Sequence, residues 1–343
     1  MSEQLQKLSI LSRSCFDITL SSADCRSGVV KGGYLKCLLD GVCSFDCAYC
    51  GICRNDSPVS FSPQELSSLV LKLWREQVID GLFLSTGIPC DTDESMEKLL
   101  LTAELLKKGG FTGYLHLKIV PGAVRGDIAE AARIADRISI NLEATGSSRL
   151  SEIASVKTYE SDLLRRHAWI AEAAPTRHTT QIVVGAAGEG DDEILSFIAE
   201  EYRKFSPASI YYSGLIPLKK TPLAGAEPAD PRRIKALYAV DALIRSYGYS
   251  EDELLFALGE DGMLKPGDPK IHAAGSSLLD PAFGSREELL RIPGIGPKAV
   301  ERILILRERG EKISPALLKC AGVILRHALP YLIIAGSRQT RLF

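Results

Sequence analysis

The densest set of reactive side chains in this 343-residue sequence is a run of cysteines. Six of the nine (Cys25, Cys37, Cys43, Cys47, Cys50 and Cys53) fall between positions 25 and 53. In a long chain without a secretion signal, such clustering points to metal binding and not to a disulfide framework. Within it, CSFDCAYC spaces Cys43, Cys47 and Cys50 as C-x3-C-x2-C, with the aromatic Tyr49 directly before the third cysteine. Three thiolates hold three irons of a [4Fe–4S] cubane and leave the fourth iron without a protein ligand, because a full set is four. The amine and carboxylate of an amino acid could chelate that open iron. Zinc is the rival. Cys47/Cys50 and Cys50/Cys53 both have zinc-knuckle spacing, and Cys25 with Cys37 could complete a second pair.

The elements that must position these thiols follow from hydropathy. Short apolar runs at Tyr34–Leu39, Gly81–Ser85, Gly113–Val120, Arg137–Glu143, Thr179–Val184 and Ser209–Gly214 read as strands. Helical patterns lie between them near Pro63–Glu76, Ser95–Lys108, Ala123–Ala135, Glu160–Ala173 and Asp192–Lys204, and another follows at Asp230–Tyr247. The first of these carries its own start signal, with Ser62 as cap, Pro63 at the first position and Glu65 closing a capping box. Such alternation implies right-handed βαβ units and a parallel sheet. Six units suit a partial (β/α)6 barrel, with a doubly wound sheet as the alternative. No glycine-rich phosphate fingerprint follows the first strand, which counts against a dinucleotide fold.

A parallel strand buried on both faces should be almost wholly aliphatic. Here Leu115, Leu117 and Ile119 oppose His116 and Lys118, and Ile138, Ile140 and Leu142 oppose Ser139, Asn141 and Glu143. Thr179 with Gln181, and Tyr211 with Ser213, repeat the pattern. One polar face shared by successive strands implies a polar lumen that binds a ligand near the C-terminal strand ends.

Charge divides unevenly. From Ser285 onward there are 11 Lys+Arg against 5 Asp+Glu, leaving 30 against 38 for the remainder. A basic tail on an acidic body suggests that the tail meets a polyanion. In the tail, Ile292-Pro293-Gly294-Ile295-Gly296-Pro297-Lys298 precedes a helical run over Ala299–Arg309. Two helices around a Pro-Gly-Ile-Gly turn resemble a helix-hairpin-helix module. Gly294 and Gly296 would let backbone approach a phosphate, and Lys298 and Arg302 would add charge. Ile292, Ile295, Val300 and Ile303 read as its core, and a second, degenerate hairpin is expected over Ile313–Tyr331. A helix hairpin used only for protein packing is the alternative.

The cysteine triplet after a first strand resembles the radical S-adenosylmethionine (SAM) superfamily. The segments CAYCGICRND, GLFLSTGI, GYLHLKIVPGA, ISINLEATG, TTQIVVGA and IYYSGLIPL resemble one subfamily, the DNA modification or repair radical SAM proteins linked to uracil-DNA-glycosylase-like partners. Similarity runs over nearly the whole chain, with a shorter N-terminal segment and a compressed stretch after the cysteines. The resemblance implies a TIM-like partial (β/α)6 barrel with a small all-α helix-hairpin-helix C-terminal domain. Its boundaries are an N-terminal extension over 1–30, the barrel over 31–225, a helical linker over 226–282 and the hairpin domain over 283–343. It implies a cluster that gives one electron to SAM, whose cleavage yields methionine and a 5′-deoxyadenosyl radical. Ser85, Thr86 and Gly87 would hold the SAM amine, Lys118, Asn141 and Glu143 its carboxylate or ribose, and Tyr49 and Gln181 would join the cofactor site. Cys90, just past that turn, could return a hydrogen atom to a product radical. Tyr211 and Tyr212 could relay a radical or stack on a base. An electron donor such as ferredoxin or flavodoxin would serve the cluster.

The reading is thus radical chemistry on DNA, for modification or repair. The alternatives are radical chemistry on RNA or a nucleoside precursor, and a non-catalytic iron–sulfur or zinc DNA-binding protein. No apolar run approaches the roughly 18 residues a membrane span requires. No basic-then-apolar leader opens the chain, so a cytoplasmic protein is expected.

Overall fold

The computed structural model describes residues 3–13, 33–54, 59–275, 278–334 and 337–338. Its contacts divide into two compact units, one of 1–189 with 201–231 and one of 190–200 with 232–343. Cys15 and Cys25 lie outside the described residues. So does most of the expected N-terminal extension, apart from helix α1 (Glu3–Arg13).

The first unit is built on six parallel strands in sequential order: β1 (Gly33–Leu38), β2 (Ile79–Ser85), β3 (Tyr114–Lys118), β4 (Arg137–Ser139), β5 (His178–Val184) and β6 (Ser209–Gly214). The helices between them are α2 (Pro63–Arg75), α3 (Thr92–Lys108), α4 (Arg125–Ile134), α5 (Ser147–Ile153), α6 (Arg165–Ala173) and α7 (Asp191–Lys204). A six-stranded, sequentially ordered parallel sheet is a half-barrel, not a doubly wound sheet, whose order would reverse partway. Helix α2 starts as its sequence dictates. Ser62 Oγ accepts from Glu65 N at 3.2 Å, and Glu65 Oε2 accepts from Ser62 N at 2.8 Å.

Alternation fixes which side of each strand meets the helices. Leu35, Leu82, Leu84, Leu115, Leu117, Ile138 and Ile210 are fully buried. Each such side chain contributes about 1.5–3 kcal/mol on leaving water. His116, Ser139, Asn141, Glu143 and Gln181 occupy the opposite face, as their polarity predicted.

Two elements differ from expectation. Strand β4 stops at Ser139 instead of reaching Glu143. The Thr180 hydroxyl takes the Ile140 carbonyl at 2.8 Å, and Glu143 adopts a left-handed φ of 66°. Pairing resumes for one residue, with Glu143 N donating to Gln181 O and Val183 N to Glu143 O. The helix expected over Glu160–Ala173 opens as a π turn at Tyr159–Leu164 before continuing as α6.

The second unit holds residues 191–200 of α7, with α8 (Pro231–Tyr247), α9 (Glu251–Leu255), α10 (Pro269–Ala273), α11 (Arg286–Arg291), α12 (Pro297–Glu308), α13 (Pro315–Cys320) and α14 (Leu325–Ala328). Its division from the first unit falls at 231/232, not at 282/283, so 232–282 is packed structure and not a linker. Arg291 shows why. It pairs with Glu253 at 2.6 Å, donates to Tyr247 O at 2.9 Å and stacks 4.3 Å from the Tyr249 ring. Nor is this part all-α, because β7 (Ile333–Ile334) and β8 (Ser337–Arg338) form a short antiparallel pair. Ile292, Ile295, Val300 and Ile303 are buried in its core. Among the described residues no helix is long and apolar enough to cross a membrane.

Candidate active site

The loop after β1 carries Cys43, Cys47 and Cys50 and is anchored on two sides. On one side Gly87 N donates to Asp40 O at 2.9 Å and Ser44 N to Ile88 O at 2.7 Å. A Cβ at Gly87 would lie 2.1 Å from the Val42 carbonyl oxygen, so only glycine lets the turn after β2 approach this closely. On the other side Ala48 N donates to Ile153 O at 2.7 Å. Asp46 accepts from Ser155 N at 3.1 Å and from Val156 N at 3.3 Å. Burial acts to raise the Asp46 carboxyl, but these donors outweigh it and hold the group below its usual range.

The loop, the turn after β2 and the polar strand face enclose a cavity of about 690 Å³. Cys43, Cys47, Cys50 and Tyr49 line it on the loop side, and Ser85, Thr86 and Gly87 at the turn. Lys118, Asn141, Glu143 and Gln181 line it on the strands. Every residue expected to meet the cluster or SAM is therefore brought to one space. Lys157 is there too, and sequence reading missed it.

Lys157 Nζ lies 3.2 Å from Glu143 Oε1, with both side chains buried, and 5.7 Å from the Phe45 ring centre. Asn141 Nδ2 donates to Glu143 Oε2 at 3.3 Å, and the Tyr49 hydroxyl bonds the same carboxylate. Burial would push Glu143 up, but Lys157 and Lys118 hold its carboxyl below the usual range. Burial would likewise push Lys157 down, and Glu143 and Cys47 beside it hold the ammonium above the usual lysine range. Burial raises the Tyr49 hydroxyl and the Cys47 thiol, and lifts Cys50 to about 11. Thiols so raised stay protonated near neutrality and give up protons when a metal binds. A buried carboxylate on the lumen face requires a buried cation. That requirement was the available signal for Lys157, but no motif marks which of the four basic residues between 149 and 166 supplies it.

Two expectations fail on position. Cys90 is exposed and does not line the cavity, because the chain turns outward into α3 there. Tyr212 is wholly buried on the helix-facing side, since strand alternation sends it opposite to Tyr211 and Ser213. Tyr211 shares the lumen face but lies one step below the cavity lining, opposite Gln181. Of the spare cysteines described, Cys37 is buried in β1, and the Cys53 thiol donates to Cys50 O at 3.2 Å.

In the tail, Gly294 has a φ of 78°, and a Cβ there would lie 2.5 Å from Ile324 O. Ile324 N also donates to Gly294 O at 2.9 Å, so the second turn packs directly on the first. Gly294 is thus required by its protein neighbour whatever else the turn meets. Lys298 is exposed at the start of α12, and Arg302 Nη1 donates to Ala321 O at 3.3 Å.

Residues 41–200 match the sequence model of the Radical SAM superfamily. No curated protein matches the chain. Among solved structures, HydG, a maturase of the [FeFe]-hydrogenase, superposes with a TM-score of 0.52 at 11% identity, over 71% of this chain and 54% of its own. Methylornithine synthase (PylB) gives 0.52 at 13%, over 71% and 69%. HydG from Carboxydothermus hydrogenoformans gives 0.52 at 15%, over 87% and 71%. The chain thus spans about half the length of the first HydG structure, and these likenesses concern the fold. The sequence match makes residues 41–200 similar to a radical SAM superfamily domain, and the structural likenesses agree with the half-barrel fold. Domains of this superfamily use a [4Fe–4S] cluster and SAM.

Proposed function

We propose that the protein is a radical SAM enzyme that acts on DNA, in modification or repair. The observation that carries this reading is the single cavity in which three cysteine thiols face Lys118, Asn141, Glu143 and Gln181. In this reading Cys43, Cys47 and Cys50 hold the cluster, and Ser85, Thr86 and Gly87 take the SAM amine. Lys118, Asn141 and Gln181 receive its carboxylate or ribose. Glu143, held by Lys157, Asn141 and Tyr49, is a fixed acceptor already in place when SAM arrives. Three cysteine thiols at one cavity suit a [4Fe–4S] cluster, which takes thiolate ligands and keeps one iron open when only three are supplied.

When bound, cluster and SAM supply reductive cleavage to methionine and a 5′-deoxyadenosyl radical. Ile88, Ile119, Val120, Ile140 and Val183 in the lining keep bulk water from the reacting space. The basic tail supports a polyanionic partner: Lys298 at its turn would grip backbone phosphates without reading sequence. A base would have to leave the stack to reach the cavity. A ferredoxin- or flavodoxin-like donor and a uracil-DNA-glycosylase-like partner belong to the same proposal.

The test is anaerobic reconstitution, reduction and addition of SAM, with 5′-deoxyadenosine measured with and without DNA or RNA. Formation stimulated by DNA is expected. A fully loaded cluster that yields none would refute the enzyme, and stimulation by RNA alone would move the substrate to RNA. Lys298→Gln should lower the salt dependence of DNA binding by about one phosphate contact.

A further inference from the structure

Lys157 makes a second contact that holding Glu143 does not account for. Its ammonium also donates to the Cys47 sulfur. Three consecutive residues of the cysteine loop are met here by one later segment. Asp46 accepts from Ser155 N and Val156 N, Ala48 N donates to Ile153 O at 2.7 Å, and Cys47 between them receives Lys157. The backbone on both sides of Lys157 is tied, Val156 N to Asp46 at 3.3 Å and Thr158 N to Asp162 Oδ2 at 2.8 Å. With its neighbours held and its side chain buried, the ammonium is confined between Glu143, Cys47 and the Phe45 ring. Cys50 is met differently, by the backbone N–H of Ile52.

Stability alone does not explain this placement. A buried ion pair adds little over apolar side chains of the same volume, and a counter-charge for Glu143 has no need to touch a cysteine. Burial acts most strongly on the Cys47 thiol. Beneath that effect the Lys157 ammonium favours the thiolate and the Glu143 carboxylate opposes it. The pair therefore presents its positive end to the sulfur. Hydrogen bonds to the sulfurs and the charge around them set the potential of an iron–sulfur cluster. Reduction adds one negative charge, so a donor and a cation at a ligand sulfur favour the reduced form. A low local dielectric enlarges the effect.

We infer that Lys157 is a positioning residue for Cys47 and raises the reduction potential of the cluster this thiolate holds, with Glu143 as its counterweight. The inference rests on the reading of Cys43, Cys47 and Cys50 as cluster ligands and adds a redox lever at one of them. Lys157 acts through the sulfur it meets, and the clamp of 153–158 on 46–48 keeps it there.

The experiment reconstitutes full-length wild type, Lys157→Met, Lys157→Arg, Glu143→Gln and the Glu143→Gln/Lys157→Met double variant without oxygen. Iron is counted, and the midpoint potential is read without SAM from the paramagnetic resonance of the reduced cluster. Lys157→Met should make reduction about tenfold less favourable, about 59 mV for one electron. Lys157→Arg keeps donor and charge and should stay close to wild type. Glu143→Gln leaves the ammonium unopposed and should move the potential up, a reversal of sign that loosened packing does not produce. The double variant should lie below wild type, and it carries the comparison if Lys157→Met does not fold. The inference is overturned if Lys157→Met or the double variant reduces at or above the wild-type potential, or if Glu143→Gln shifts it downward. A wild type that folds but takes up no cluster would refute the reading of the three cysteines, and the inference with it.

Discussion

Removing the Glu143 carboxylate should be among the most disruptive single changes in the first unit, and removing its partner as well should restore much of the loss. Glu143 and Lys157 are 3.2 Å apart, with side-chain exposures of 7% and 5%. Glu143→Gln leaves a buried ammonium without its counter-charge, and breaking such a pair costs about 3–5 kcal/mol. Lys157→Met strands the carboxylate at similar cost. The double variant replaces both charges with groups of similar volume, for which the change is about 0–1 kcal/mol. The predicted coupling is therefore several kcal/mol, far above the few tenths seen for independent sites. The chain has two tryptophans, Trp74 and Trp169, and both lie in the first unit. Tryptophan fluorescence during urea unfolding of the metal-free protein thus reports that unit alone. With a urea slope of about 2–3 kcal/mol per molar, each single variant should shift the midpoint by roughly 1–2 M. Single variants that lose less than about 1 kcal/mol, or a double variant equal to the sum of the singles, would refute the buried pair as described.

Other outcomes follow from the same structure. Alanine at Cys43, Cys47 or Cys50 should each abolish stoichiometric iron loading in anaerobic reconstitution, whereas alanine at the exposed Cys90 should load normally and keep turnover. Gly87→Ala must displace backbone to escape a 2.1 Å contact, and should cost about 3 kcal/mol or more by the same fluorescence assay. His178 is buried with its pKa lowered to about 4, first by burial and then by His167. Its folded value lies below the unfolded one, so the stability it confers is complete above about pH 6.5 and is lost as pH falls toward 4. The loss is about 3 kcal/mol, and His178→Asn should flatten the profile. Lys270 is buried with its pKa lowered to about 7, chiefly by burial. The neutral form suits the fold, so the second unit should gain stability from pH 7 toward 10 by calorimetry, and Lys270→Met should remove that rise.

Much of the half-barrel was legible because a strand buried on one face and functional on the other writes its geometry into alternate residues. Leu115, Leu117 and Ile138 could only face helices, and His116, Asn141 and Glu143 only the lumen. Ser62, Pro63 and Glu65 located a helix start because capping chemistry is local. What escaped was set by tertiary contact. Lys157 lies in a connection without periodicity, and only the buried charge of Glu143 requires it. Glu143 itself leaves the strand conformation because Thr180 takes the Ile140 carbonyl from a neighbouring strand. Cys90 and Tyr212 were misplaced because nearness in sequence to a site says nothing of direction: one residue along a strand reverses the face. In the tail, Gly294 suggests a phosphate turn from sequence, yet the carbonyl of Ile324, thirty positions on, already forbids a side chain there.

The anchoring of the cysteine loop carries a consequence for biosynthesis. Asp46 finds its donors at Ser155 and Val156, more than a hundred positions later. At 5–20 residues per second a ribosome takes roughly 5–20 s to cover that interval. Throughout it the three thiols are on a loop whose far abutment has not been made. Delivery of iron and sulfide therefore belongs after the chain has passed Val156, and a nascent chain stalled earlier should emerge without the means to keep a cluster.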